Sequence, residues 1–564
     1  MKHERILVAS AWPYVNYLPH LGTVIHFLGA DVASRYYRAA GKHVVMVSGS
    51  DEHGTPTEVE AVRLGILPKQ LSDKNHEKVV ESIKKWGFSF DNYTRTENPV
   101  HKEFVQEHLM KIYDNGYIFS QETEMLFCQK CNRFLPDRYV EGKCPYCGHE
   151  GARGDQCDAC GRLLEPTSLI EPYCAICKSK PMLRKTTHWF FDLPKLSEKI
   201  ESYLESNKQL STSTRNFSLN LVKEGLKPRS VTRDVAWGIQ APFPNAENKR
   251  IYVWVEAVLG YVSATIEYFK KLGKPDEWKE YWFRKDAKTL YFIGKDNIPF
   301  HTIILPALLL ASEDDYNLPW NVSVTDFIQF NGLPFSKSHR RGIWINETTE
   351  LFPADYWRFY LMATRPETKD SEFSWQLFID KINADLNDTF GNFVHRTLTF
   401  INTQFAGQIP DVELDTEAEQ ILQTLQKEVE TMANEIEESK LQSATNILIG
   451  IGRRGNQYLN EKEPWKLIKT DKTKAARIFY VAARYVKALA IVSAPFIPFS
   501  ADEIWKTLNL GRNVHEQKWD EALKPFPHAH RINKPKPLFK KIDANKKEIE
   551  ERLEKVREQL AETS

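Results

Sequence analysis

The stretch ILVASAWPYVNYLPHLGT, residues 6–23, decides the architecture. Its first five residues are apolar or small and lead straight into a loop with prolines, as a short buried strand does. Helical periodicity follows over about residues 23–40, and a second apolar strand, residues 43–48, ends in the polar loop GSDEHGTP. Strand, loop, helix, strand, with polar residues gathered at the strand ends, predicts the α/β class and a doubly wound parallel sheet. Such sheets bind ligands beyond the carboxyl ends of their strands.

Working outward, α/β character resumes at residues 251–256 (IYVWVE) and 289–293 (TLYFI), the second running into GKDNIPFHT and the apolar helix IILPALLLA. From Asp326 the chain is loop-rich and contains NGLPFSKSHRRG. After about Asp380, apolar residues at three- and four-residue spacing predict an α-helical bundle. The last run carries mixed charge with a narrow stripe of Ile549, Leu553, Val556 and Leu560, a single amphipathic helix that lies on the body or projects from it.

At 564 residues the chain divides into several domains. A hydrophobic share of 42% and a charged share of 27% suit a water-soluble globular protein. The net charge of +1 argues against a globally basic nucleic-acid binder, while leaving room for local basic grooves. No secretory leader and no bilayer-length apolar run is present, so a cytoplasmic location is expected, with no membrane partner. All eight cysteines lie between Cys128 and Cys177, every one in a C-x-x-C pair. In a reducing compartment that pattern predicts two four-thiolate zinc sites rather than disulfides. Sequential and nested pairing of the four motifs both close loops of reasonable length. With all four positions filled by thiolate, either zinc is structural rather than catalytic. Low aliphatic content predicts that metal, not an apolar core, holds this insertion together.

Two short segments carry the chemistry. In PHLGT, His20 and Gly22 stand at the junction of the first strand and its helix. There a glycine admits a phosphate, the helix N-terminus favours negative charge, and an imidazole can donate to a phosphate oxygen. In FSKS, residues 335–338, Lys337 lies between two serines and offers a cation and hydroxyl donors to a departing pyrophosphate. Together and in this order they resemble the HIGH and KMSKS signatures of class I aminoacyl-tRNA synthetases. With a cysteine-rich insertion between them and a helical domain after, nearly the whole chain, to about Ile542, resembles the methionyl-tRNA synthetases.

The resemblance implies roles residue by residue. His20, Thr23 and Lys337 would be catalytic. Gly22, Arg233, Gly294, Asp296 and Lys337 would bind ATP. Ala11, Trp12, Tyr14, Asp51, Trp254, Ala257, Tyr261, Asn297 and His301 would hold methionine, with Asp51 on its ammonium. Asn392, Arg396 and Trp465 would read the anticodon. It also implies nested zinc sites, Cys144/Cys147/Cys157/Cys160 and Cys128/Cys131/Cys174/Cys177. The expected domains are two halves of a Rossmann-like catalytic domain (1–117 and 229–325) around an insertion with two zinc knuckles (118–228). A signature-loop segment (326–380), an anticodon-binding helical domain (381–540) and a charged terminal helix (541–564) follow. The implied function is ATP-dependent activation of L-methionine and its transfer to tRNA(Met), with Mg2+ accompanying ATP, by a monomer. The sequence departs from the signatures twice: Thr23 stands for the second histidine of HIGH, and Pro334 for the first lysine of KMSKS, which removes a cation and stiffens the loop.

Overall fold

The computed structural model describes residues 4–154, 157, 159–160, 162, 164–333, 335 and 341–562. The strands that organise it are β1 (Arg5–Ser10), β2 (His43–Ser50), β3 (Asn92–Arg95), β4 (Ile118–Cys128), β5 (Met182–Phe191), β6 (Lys288–Gly294) and β7 (Asn321–Thr325). The helices used below are α1 (Leu21–Ala39), α2 (Val253–Lys271), α3 (Asn392–Gln404), α4 (Leu441–Lys462) and α5 (Lys546–Glu562).

Five strands form one parallel sheet in the order β7-β6-β1-β2-β3. The central strands β1, β2 and β6 carry apolar runs because both faces of the sheet are covered. Ile6 and Val8 point into one core while Leu7 and Ala9 point into the other, and Met46 and Val47 divide in the same way. From β1 the chain goes to β2 on one side, and it later returns to β6 on the other. The ends of β1 and β6 therefore flank the point where the winding reverses, the place where such a sheet opens a ligand crevice.

The cysteine-rich insertion rises on a ribbon. β4 and β5 pair antiparallel from Ile118↔Phe191 to Phe127↔Met182. Contrary to the expectation that no apolar core would be found there, Leu135, Tyr139, Val140 and Leu169 pack around the buried cysteines. This small core supplies packing around two cysteine sets that could hold metal. Beyond β5, the helices Ser197–Ser206 and Thr212–Lys223 return to the sheet, and Ile200, Leu204 and Val222 share a core with Leu7.

The other core runs without a break from the sheet into the helical bundle and on to Ile549 and Leu553 of α5. Fully buried Arg358 stitches the layers: it donates to Asp31 of α1 at 2.6 Å, to the Trp86 carbonyl at 3.3 Å and to the Phe496 carbonyl at 2.9 Å. The terminal helix lies on the body, where Arg557 pairs with Glu347 at 2.8 Å. One strand expectation is corrected: within IYVWVE only Ile251 closes a two-residue strand, and α2 begins at Val253. Apolar residues continue there at helical spacing through Leu259 and Val262, and that periodicity outlasts the β-branched start. The run after β6, read as a polar loop, is also largely helical, with a 3-10 turn at Lys295–Asn297 and a wide turn at Phe300–Ile304.

Candidate active site

His20 is the last residue before α1, with extended backbone at φ −94° and ψ 171°. Its neighbours pair with the chain that leaves the FSKS segment: Leu21 N–H donates to the Ile343 carbonyl at 3.1 Å, and Ile345 N–H to the Pro19 carbonyl at 2.9 Å. The ring of Phe335, which opens FSKS, stacks on the His20 imidazole at 4.6 Å and 9°. Two segments more than 300 positions apart therefore meet at one strand end. Gly22 leaves room for the imidazole, since a Cβ there would lie 3.0 Å from His20 Cε1. Lys337 and Pro334 lie outside the described residues.

Across the crevice, a Cβ at Gly294 would come within 2.7 Å of Asp296 Oδ1 and 3.3 Å of His26 Cε1. His26, which sequence reasoning missed, bonds Thr325 Oγ1 of β7 at 3.0 Å. Burial drives its imidazole down to about 3, so it is a neutral hydrogen-bonding group rather than a cation. The signal was available: His26 follows Thr23 by three positions and shares its helix face.

Beside this cradle is an aromatic pocket. Trp12 lies flat between backbones, and a Cβ at Gly49 or Gly260 would be 2.6 or 2.8 Å from its ring. Tyr261 meets Trp12 edge-on at 6.5 Å, Tyr14 meets Trp254 edge-on at 5.8 Å, and Trp254 stacks on Phe300 at 4.4 Å. Tyr261 Oη lies 2.7 Å from His301 Nε2, while His301 Nδ1 lies 3.0 Å from the Asn297 carbonyl. A carbonyl only accepts, so Nδ1 carries the proton and Tyr261 donates to Nε2. Burial lowers the His301 pKa to about 4, consistent with that neutral ring. Ala11 and Ala257 are half-buried among these rings.

Asp51 caps the pocket floor at the end of β2, tied through its backbone to Pro13 and Val15. Its carboxyl is buried, and burial, followed by the nearby Glu256 carboxylate, holds its pKa well above the usual carboxylate range. Glu256 Oε1 lies 2.9 Å from His53 Nδ1, and Glu97 Oε1 lies 2.8 Å from His53 Nε2. Sequence reasoning singled out none of these three, although His53 stands two residues after Asp51 and Glu256 next to Ala257.

Arg233, expected at the nucleotide, engages the insertion instead of the cradle. Its guanidinium lies over Tyr252 at 3.7 Å and pairs with Asp137 of the insertion at 3.1 Å. At the far end, Asn392 and Arg396 share a face of α3, one turn apart. Arg396 donates to Asn460 at 3.1 Å and lies 5.2 Å over Trp465, whose other neighbour is Phe400 at 6.0 Å. Glu463 takes left-handed backbone, φ 42°, before Pro464, and this sharp turn after α4 brings Trp465 back to α3.

The cysteines gather as Cys128/Cys131/Cys174/Cys177 and Cys144/Cys147/Cys157/Cys160, each set with its sulfurs within 4.8 Å of one another. Sulfur pairs between motifs stand 3.4, 3.9, 3.9 and 3.7 Å apart. A tetrahedron with metal–sulfur bonds of about 2.3 Å has edges of about 3.8 Å, whereas a disulfide needs about 2.0 Å. Asn132, Gly148 and Lys178, each just after a motif, have positive φ of 48°, 73° and 57°, which closes the turn around the sulfurs. The donor sets therefore fit tetrahedral metal in the nested arrangement.

A crevice at the sheet's reversal point, with the two signature segments joined across it, defines the class I tRNA synthetases. The family model described as "tRNA synthetases class I (M)" matches residues 6–398, and one described as "Anticodon binding domain of methionyl tRNA ligase" matches residues 409–558. Methionine–tRNA ligase of Korarchaeum cryptofilum is 50% identical over 558 residues, 98% of either chain. That of Thermofilum pendens is 49% identical over 563 residues, 99% of this chain and 98% of its own. The fold is shared with Mycobacterium tuberculosis methionyl-tRNA synthetase, solved bound by methionyl-adenylate. That structure has a TM-score of 0.78 at 22% identity, covering 96% of this chain and 100% of that one. The chain belongs to the methionine–tRNA ligase family. Among the described residues no helix is long and apolar enough to cross a membrane.

Proposed function

We propose that this chain activates L-methionine with ATP and transfers it to tRNA(Met), working in the cytoplasm as a monomer. The observation that carries the reading is the stacking of Phe335 on His20, which unites the two signature segments over the crevice. The methionine carboxylate attacks the α-phosphate of Mg-ATP in line. An oxygen–phosphorus bond forms, the bond to the bridging oxygen breaks, and pyrophosphate leaves. The attacking oxygen is already ionised, so no general base is needed, and catalysis rests on position and charge. His20, Thr23 and Lys337 offset charge on the phosphates, while Gly22, Gly294 and Asp296 line the nucleotide cradle. Arg233 joins the phosphates only on leaving Asp137. A ribose hydroxyl of the terminal adenosine then attacks the carbonyl carbon, and AMP departs.

Methionine is held by its two ends. Asp51 faces the ammonium. Trp12, Tyr14, Trp254 and Tyr261 surround the thioether with Ala11 and Ala257 leaving room, and sulfur–aromatic contact is worth roughly 0.3–1.5 kcal/mol each. His301 and Asn297 close the far end, with Tyr261 anchoring the imidazole. Asn392, Arg396 and Trp465 meet the anticodon, where an indole stacks a base and the polar pair reads base edges. Each four-cysteine set holds one zinc, which stiffens the insertion and takes no part in the reaction.

The test is methionine-dependent ATP–pyrophosphate exchange. Lys337→Ala is expected to lower exchange about 100-fold or more while methionine binding changes little. Near-wild-type exchange in that variant would overturn the assigned role of the loop. Elemental analysis of the same protein is expected to give about two zinc per chain, set by two four-thiolate sites; one or none removes that part of the reading.

A further inference from the structure

Two carboxylate oxygens beside the aromatic pocket are buried and meet no hydrogen-bond donor among the described residues: Asp51 Oδ1 and Glu256 Oε2. Asp51 is 4% exposed and Glu256 0%. They come from different elements, the end of β2 and the first turn of α2, and the Glu256 carboxylate acts on Asp51, raising its pKa beyond what burial does. An unpaired buried carboxylate is costly, and a second one acting on it makes it more so. The other oxygen of Glu256 is committed, because His53 is clasped by Glu256 on one ring nitrogen and by Glu97 on the other. Glu97 is itself paired with Lys102 at 2.6 Å.

Burial favours a neutral ring at His53, but Glu256 and Glu97 overcome it and raise its pKa to about 10. His53 and Lys102 supply two positive charges, and Glu97 and Glu256 two negative. With Asp51 ionised the cluster carries one unbalanced negative charge, the complement of one ammonium. The remaining groups around Asp51 do not alter this count. Glu52 is paired with Arg95, while Tyr261 and His101 are buried and neutral at ordinary pH.

We propose that Glu256 and His53 are positioning residues for the amino-acid ammonium. The clasped imidazolium orients Glu256 so that its free oxygen and that of Asp51 form a paired anionic seat, which shares one proton when empty and releases it when the ammonium arrives. This deepens the methionine-activating reading and rests on it. The proton moves from the carboxyl pair to solvent, the substrate keeps its own three, and no other bond changes. Acid opposes methionine binding in this scheme, because the seat holds its proton more firmly as pH falls.

The experiment is calorimetric titration of the full chain with methionine near neutral pH in buffers of different ionisation enthalpy, which counts protons released on binding. Wild type is expected to release close to one proton per methionine by linkage. Glu256→Gln keeps the hydrogen bond to His53 but removes the repelling charge. Release should fall towards zero, and the pH at which methionine KM climbs on acidification should move lower. Glu97→Gln, at the outer side of the ring, shifts the charge count by the same one unit. It keeps the test open if the buried variant does not fold. His53→Gln should raise methionine KM by about tenfold or more, with a smaller change in kcat, one pKa unit being tenfold. Equal release in wild type and both carboxamide variants, or none in wild type, would overturn the proposal while methionine-dependent exchange stood. Loss of that exchange in wild type would instead overturn the functional reading beneath it.

Discussion

The aromatic pocket and the Trp465 face of the bundle use the same residue types to opposite ends. Both set indole rings beside charged and amide groups. In the pocket, Trp12 is pressed between Gly49 and Gly260, and the acidic groups behind it are almost wholly hidden from water. On the bundle, Trp465 and Arg396 are half-buried, Asn392 is exposed, and the tryptophan has one face on Phe400 and Arg396 near the ring. In the proposed reading a small zwitterion would be held by enclosure, which strengthens every charge and would let one ammonium be matched by one unbalanced carboxylate. An RNA loop cannot be enclosed, so the residues proposed to read it would have to stay reachable at the surface.

Breaking the enclosed end should cost most. Asp51→Asn removes the charge proposed to meet the ammonium, and methionine kcat/KM is expected to fall by about 100-fold or more, the scale of losing one partner of a buried charge pair. An effect under tenfold in pyrophosphate exchange would mean that the pocket does not work by charge matching. At the open end, Trp465→Ala should raise the KM for tRNA by about 10- to 100-fold through lost stacking while leaving exchange unchanged. A fall in exchange as well would mean that the two ends are coupled through their common core. The smallest effect is expected from Gly49→Ala, whose new methyl would meet Trp12 at 2.6 Å. Tilting that ring should raise methionine KM several-fold and lower Tm by a few degrees, overpacking costing about 1–3 kcal/mol. Calorimetry together with exchange kinetics separates those two effects.

The clasped histidine also sets a direction for stability with pH. Its folded-state pKa of about 10 exceeds the unfolded value of about 6.5. Its contribution is therefore fully present below about pH 6.5 and is lost as pH rises through 10. The buried, neutral His26 and His301 act the other way, and their contribution fades as pH falls below about 6.5.

Much of this was legible in the linear chain because it rests on local pattern. The apolar runs of β1, β2 and β6, the helix after PHLGT and the four C-x-x-C motifs need only near neighbours to be read. IYVWVE misled because β-branched residues begin both strands and well-packed helices, and only the residues after it settle the period. Arg233 was read by position in a motif, while its partner Asp137 comes from the insertion, nearly a hundred residues earlier.

The sequence alone determined the α/β class, the helical second half, the cysteine inventory and the identity of the chemical groups available. Each depends on composition or short-range periodicity, which backbone geometry translates directly. Only the tertiary structure decided which cysteines share a site, that Phe335 covers His20, that the terminal helix lies on the body, and that His53 sits between two glutamates. Those facts depend on chain closure over tens to hundreds of residues and on burial. Burial turns ordinary carboxylates and imidazoles into groups with shifted proton affinity, and it belongs to the fold rather than to any residue by itself.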